Sequence, residues 1–159
     1  MQNLSELTRK LVEAEVEFVL IGGFASVAHG VTLVTRDVDI CCRFSEANLM
    51  RVQKALSSLH PTHRSRPELP LALTPAQCAD LKNLYLTTDL GVVDCLSEVR
   101  GIGNFDTVLK NSVEVDLPFG KCWILDLDAL IRAKEAMDRE HDRLALRQLR
   151  EIKRRQKQA

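Results

Sequence analysis

Long apolar runs are missing from this chain. None of its hydrophobic stretches approaches the roughly 20 residues needed to cross a bilayer, and the opening MQNLSELTRKL has no apolar core of the signal-peptide kind. A cytoplasmic protein with no membrane partner is therefore expected. CxxC pairs are missing too. The five cysteines (Cys41, Cys42, Cys78, Cys95 and Cys122) are odd in number, and two of them adjoin in a β-like segment. That pattern suggests neither a disulfide framework nor a zinc ribbon, and reduced thiols packed as small hydrophobes are expected instead. His60 and His63, in HPTH, have no partner motif nearby, so a surface loop is expected there rather than a zinc site. There is no internal repeat and no low-complexity segment. Net charge is also lacking, since 22 Lys and Arg balance 22 Asp and Glu.

What is present fits one globular domain spanning 1–159, with 45% hydrophobic and 28% charged residues. The charge is unevenly spread. From Arg132 onward there are ten Lys and Arg against five Asp and Glu. A basic end on an acidic body suits a polyanionic partner, and it equally suits a solvated helix laced with ion pairs.

Leu4, Leu7, Leu11 and Val12 recur at helical spacing behind Asn3 or Ser5 as cap. VEFVLIGG reads as a strand ended by Gly22-Gly23, FASVAHG as a short helical piece closed by Gly30, and TRDVDICCRF as the next strand. SEANLMRVQKALSSL reads as a helix with Ser45 as its cap. Residues 60–70 (HPTHRSRPELP) read as a Pro-rich loop, and TPAQCADL as a Thr-Pro helix entry. NLYLTTDLGVVDCLSEV suggests two strands turning at Asp89-Leu90-Gly91. A short helix in NFDTVLKNS and a hairpin turning at Pro118-Phe119-Gly120 follow, with Trp123 expected in the core. Helices cover about 126–156, broken near Arg139 to His141. The predicted class is α+β, or α/β with a mixed sheet.

Asp37 and Asp39 sit among Val38, Ile40, Cys41 and Cys42, where a charge is expensive to bury. Strand alternation puts the two carboxylates on one face, about 7 Å apart along the chain, with Val38 and Ile40 on the opposite, core-facing side. Carboxylates so close repel and share a proton unless a cation neutralises them. Magnesium, a hard ion that prefers carboxylate oxygen and substrate phosphates, is the natural candidate. Asp94, between Val93 and Cys95, is a third acid in an apolar run, and three such acids suit a two-metal phosphoryl-transfer site. Gly22 and Gly23, between strand and helix, bring backbone N–H groups towards an anion such as a triphosphate, and Ser26 adds a hydroxyl.

On these residues the chain resembles the minimal nucleotidyltransferases of the DNA polymerase beta-like superfamily. It is most similar to their toxin-like branch, which includes abortive-infection toxins. The matching order is Gly22, Gly23, Ala25, His29, Gly30, then Thr35-Arg36-Asp37-Val38-Asp39, and Lys134, Arg139 and Asp142 match that branch's paired-helix motif. The resemblance implies a central mixed sheet flanked by helices with a C-terminal helix pair. It also implies a nucleoside triphosphate such as ATP, magnesium or manganese, and transfer of a nucleoside monophosphate to an RNA, protein or small-molecule acceptor. Asp37, Asp39 and Asp94 would be the catalytic metal ligands; Gly22, Gly23, Ser26, Arg36 and Lys134 would bind substrate. A cognate antitoxin is an implied partner. The alternative is a degenerate relative that binds nucleotide or a partner protein without turnover.

Overall fold

The computed structural model describes residues 3–158. In chain order its elements are α1 (Leu4–Glu13), β1 (Phe18–Leu20), α2 (Gly23–Ala28), β2 (Asp37–Cys42), α3 (Glu46–Leu56), β3 (Thr62–His63), β4 (Arg66–Pro70), α4 (Pro75–Cys78), β5 (Asn83–Thr88), β6 (Gly91–Leu96), β7 (Glu98–Val99), β8 (Gly103–Asn104), α5 (Phe105–Lys110), β9 (Ser112–Leu117), β10 (Gly120–Leu125), α6 (Leu127–Met137) and α7 (Arg143–Gln158). Local chemistry sets many of these boundaries. Asn3, Ser45, Asn104 and Asp126 each accept a hydrogen bond from a backbone N–H in the first turn of the helix they precede. α6 ends where Asp138 takes a left-handed conformation, and a 3-10 turn over Glu140–Asp142 leads into α7. The break falls where the sequence places it.

Eight strands form one sheet in the order β4-β3-β5-β6-β2-β1-β10-β9, and β7 pairs with β8 apart from it. β1 runs parallel to β10 and β2 parallel to β6, and the remaining pairs are antiparallel. This is the expected mixed sheet. Val38, Ile40, Val93 and Cys95 are fully buried, as alternation demands of the residues flanking the aspartates. Leu7 and Leu11 of α1, together with Val52 and Leu56 of α3, join the same core.

Two expectations fail. Residues 60–70 are not a loop but the β3–β4 hairpin at one edge of the sheet. Pro67 and Pro70 are compatible with it because β4 is an exposed outermost strand, where a missing N–H costs little. Trp123 is 39% exposed rather than in the core. Alternation turns it away from buried Cys122 and Ile124, and it lies beside the opposite edge strand, β9, where cover is incomplete.

The five cysteines are all free and buried. Burial pushes the Cys41 and Cys122 thiols up to about 12, so neither is a nucleophile at neutral pH. Among the described residues, no helix is long and apolar enough to cross a membrane.

Candidate active site

Sheet register assembles the acids. β2 and β6 pair so that Asp39 stands opposite Asp94, and β5 places Tyr85 opposite Asp94 in turn. Partners in register point to the same face, so Asp39, Asp94 and Tyr85 form a row across three strands. Asp37, two residues before Asp39, shares that face. One carboxylate oxygen from each of Asp37, Asp39 and Asp94 lies within 4.8 Å of the other two, the spacing a divalent ion can bridge. Among the described residues this is the only cluster of three His, Cys, Asp or Glu groups so arranged; His60 instead meets Asp89, with Nδ1 2.6 Å from Oδ2.

The electrostatics ask for a cation. Burial first, then the charges of Asp94 and Asp37, push the Asp39 carboxyl up to about 6. Burial raises Asp94 as well, against the pull of Arg64. Asp94 Oδ1 is buried and accepts no well-formed hydrogen bond, although the Arg64 guanidinium lies 3.0 Å away. A buried carboxylate oxygen without a well-formed hydrogen bond, on a residue grouped with two further acids, fits a metal ligand.

Gly22 serves this site by having no side chain. A Cβ built there would stand 2.1 Å from Asp39 Oδ2 and 2.7 Å from Asp39 Cβ. Its φ of −105° is not left-handed, and the space that Asp39 fills demands glycine. Gly23 is crowded in the same way by Thr35, whose Oγ1 would lie 2.8 Å from a Cβ.

Two cavities meet at the acids. One, of about 360 Å³, is walled by Gly22, Gly23, Thr35, Arg36, His141 and the three aspartates. The other, of about 200 Å³, has Ile21, Tyr85, Leu96, Val99 and Met137 along its wall. Gly22, Asp39, Asp94, Lys134 and Arg139 border both. Asp39 and Asp94 therefore stand between a polar chamber and a more apolar one, with Asp37 on the polar side.

Of the expected substrate contacts, Gly22, Gly23, Arg36 and Lys134 border the polar cavity. Ser26 does not. It is fully buried, and its hydroxyl donates to the Gly22 carbonyl at 3.3 Å. Lys134 is nearly buried and its Nζ lies 3.1 Å from Asp142 Oδ1, while Arg139 Nε donates to Asp142 Oδ2 at 2.6 Å. Burial drives the Asp142 carboxyl up, yet hydrogen bonds from Arg139 and Lys134 and their charges bring it below its ordinary range. The three residues of the paired-helix motif thus converge. His29 is a turn residue whose Nε2 lies 2.6 Å from the Leu125 carbonyl.

Arg64 went unnoticed in the sequence. It lies in the turn of a hairpin that reads as a loop, and no local pattern links it to Asp94, 30 residues away. The basic stripe after Arg132 is largely neutralised. Arg150 pairs with Glu135, Lys153 with Asp128, and Arg154 and Arg155 with Glu151. Among the described residues Arg132, Arg143, Arg147 and Lys157 have no such partner, and Arg143 and Arg147 line a groove between the helices.

No family model matches the chain, and neither does any curated protein sequence. Solved structures do. The lincosamide antibiotic adenylyltransferase LnuA, solved with lincomycin bound, superposes with a TM-score of 0.64 at 16% identity, covering 95% of this chain and 98% of its own. A candidate nucleotidyltransferase from Thermotoga maritima gives 0.57 at 18% identity, covering 93% and 94%. At such identities the likeness speaks for architecture: this chain has the fold of the nucleotidyltransferases, a mixed sheet flanked by helices that matches both structures over nearly their whole length.

Proposed function

We propose that this protein is a nucleotidyltransferase that moves a nucleoside monophosphate from a nucleoside triphosphate to an acceptor hydroxyl. The observation that carries the reading is the convergence of Asp37, Asp39 and Asp94 within 4.8 Å on one cavity, with Asp39 and Asp94 also bordering a second. Those three residues would hold magnesium or manganese, which supplies positive charge to offset the carboxylates and the triphosphate. Asp94 Oδ1, which lacks a hydrogen bond, and the space left at Gly22 are consistent with that use.

The triphosphate belongs in the polar chamber, where Gly22 and Gly23 let the backbone approach it and Arg36, Lys134 and Arg139 supply cations. The acceptor oxygen bonds to the α-phosphorus as the bond to the departing pyrophosphate breaks. Asp94, which borders both chambers, receives the hydroxyl proton. The more apolar chamber across the acids suits a small molecule carrying a hydroxyl. LnuA, described as an adenylyltransferase and solved with lincomycin, supports both ATP as donor and a small acceptor. The meeting of Lys134, Arg139 and Asp142 supports placement near the toxin-like branch, and an RNA or protein acceptor stays open beside a small molecule.

The test supplies each of the four common triphosphates, labelled at the α-phosphate, with magnesium and separate pools of RNA, protein and small metabolites. Pyrophosphate release with label in one pool is expected, and Asp39→Asn should abolish both. Absence of release and transfer with every donor and pool would leave a nucleotide-binding relative without turnover.

A further inference from the structure

Arg64 sits opposite the acids on a part of the chain that neither the metal cluster nor the paired-helix motif accounts for. Its backbone N–H donates to the Tyr85 carbonyl at 3.0 Å. Its guanidinium lies 5.1 Å from the centre of the Tyr85 ring, within reach of the ring's negative face. From that perch a single nitrogen, Nη1, is 3.0 Å from Asp94 Oδ1 and 3.1 Å from Oδ2. Only Oδ2 receives a well-formed hydrogen bond. This is not the two-pronged fork through which arginine makes its strongest carboxylate pairs.

The pair is easy to break for other reasons. The Arg64 side chain is 42% exposed. The hairpin that carries it is held by two register pairs to β5, Thr62 to Thr87 and His63 to Leu86, with an irregularity between Thr62 and His63 on its other side. Its outer strand is exposed throughout.

We propose that Arg64 is an exchangeable counter-ion, which neutralises Asp94 while the acid cluster holds no metal and yields to the incoming ion to bind substrate phosphate. The inference rests on the nucleotidyl-transfer reading. A guanidinium and a divalent cation bound to one carboxylate repel each other, so metal and Arg64 compete for Asp94. The Tyr85 ring contact and the backbone anchor remain when the ion pair opens. They keep the freed guanidinium near Asp94, which borders both the apolar cavity that Tyr85 lines and the polar chamber assigned to the triphosphate, where its planar donors suit a phosphate.

Two opposite effects on one variant follow. Manganese alone, without nucleotide, is titrated into the full chain by calorimetry and by loss of the free-ion paramagnetic resonance signal. Arg64→Ala should bind manganese about tenfold more tightly than wild type, because a competing positive charge is gone, whereas Arg64→Lys should stay near wild type. In transfer assays the KM for the triphosphate should rise about tenfold in Arg64→Ala, because a phosphate contact is lost. A merely structural role would weaken both. If Arg64→Ala unfolds, Arg64→Gln serves, since it removes the charge and keeps a polar side chain. Unchanged or weaker manganese binding in a folded variant overturns the exchange. Absence of manganese binding in wild type overturns it together with the metal reading, so the two failures are distinguishable.

Discussion

Gly22 has no room for a methyl group because Asp39 fills the space: the Oδ2 of that carboxylate lies 2.1 Å from where a Cβ would stand. The contact links the end of β1 to the acid row of β2, beside the place where the Ile21 N–H donates to the Asp39 carbonyl at 3.0 Å. Gly22→Ala must therefore move Asp39 or the backbone. Overpacking of this kind costs about 1–3 kcal/mol. Manganese affinity and turnover should both fall at least about tenfold in a variant that remains folded. Calorimetric titration and circular dichroism check this, and a Gly22→Ala protein with wild-type metal affinity would contradict it.

Asp39 is stabilising as a neutral acid and destabilising as an anion in the metal-free protein. Its carboxyl is raised from an ordinary 3.8 to about 6. The advantage that the protonated form gives the folded state is complete below 3.8 and is lost as pH rises through 6. The loss is on the order of 3 kcal/mol. Asp39→Asn, neutral at every pH, should be more stable than metal-free wild type at pH 7.5, and the gap should close towards pH 4. Urea denaturation at several pH values measures it, and a gap independent of pH would show that Asp39 is not the group responsible.

Ligand binding should reverse that penalty. Magnesium with the correct triphosphate should raise the Tm of wild type by mass action, and by far less for Asp39→Asn. Thermal scans with each of the four triphosphates at millimolar concentration test this, and the absence of a shift with all of them would mark a degenerate site.

The buried pair of the last helices is asymmetric. Asp142→Ala leaves Lys134 buried without its partner and should cost about 3–5 kcal/mol. Lys134→Met should cost clearly less, because Arg139, at 2.6 Å, still neutralises Asp142. Equal losses in denaturant melts would refute the assignment of Arg139 as the second partner.

An RNA acceptor would have to be gripped by the cations that remain free of ion pairs. Arg143→Glu with Arg147→Glu should abolish any tRNA binding that weakens steeply with salt. If the acceptor is a small molecule, wild type itself should show no such binding. Filter binding at two salt concentrations separates the cases.

Local pattern by itself determined much of this protein. The two-residue period of TRDVDICC placed Asp37 and Asp39 on one face and Val38 and Ile40 in the core, because adjacent side chains in a strand point to opposite sides. The capping residues set the helix starts for a similarly local reason, since each bonds to a backbone N–H within its own first turn. Tertiary structure decided everything that depends on which strands meet. Asp94 stands opposite Asp39 only because β2 and β6 pair in parallel across more than 50 residues of chain. The steric need for Gly22, the cover of Asp94 by Arg64, and the ion pairs that neutralise Arg150 and Lys153 likewise join residues from separate elements. Trp123 was misplaced for the same reason: hydrophobicity favours burial, but cover at the edge of a sheet depends on how the neighbouring elements are arranged.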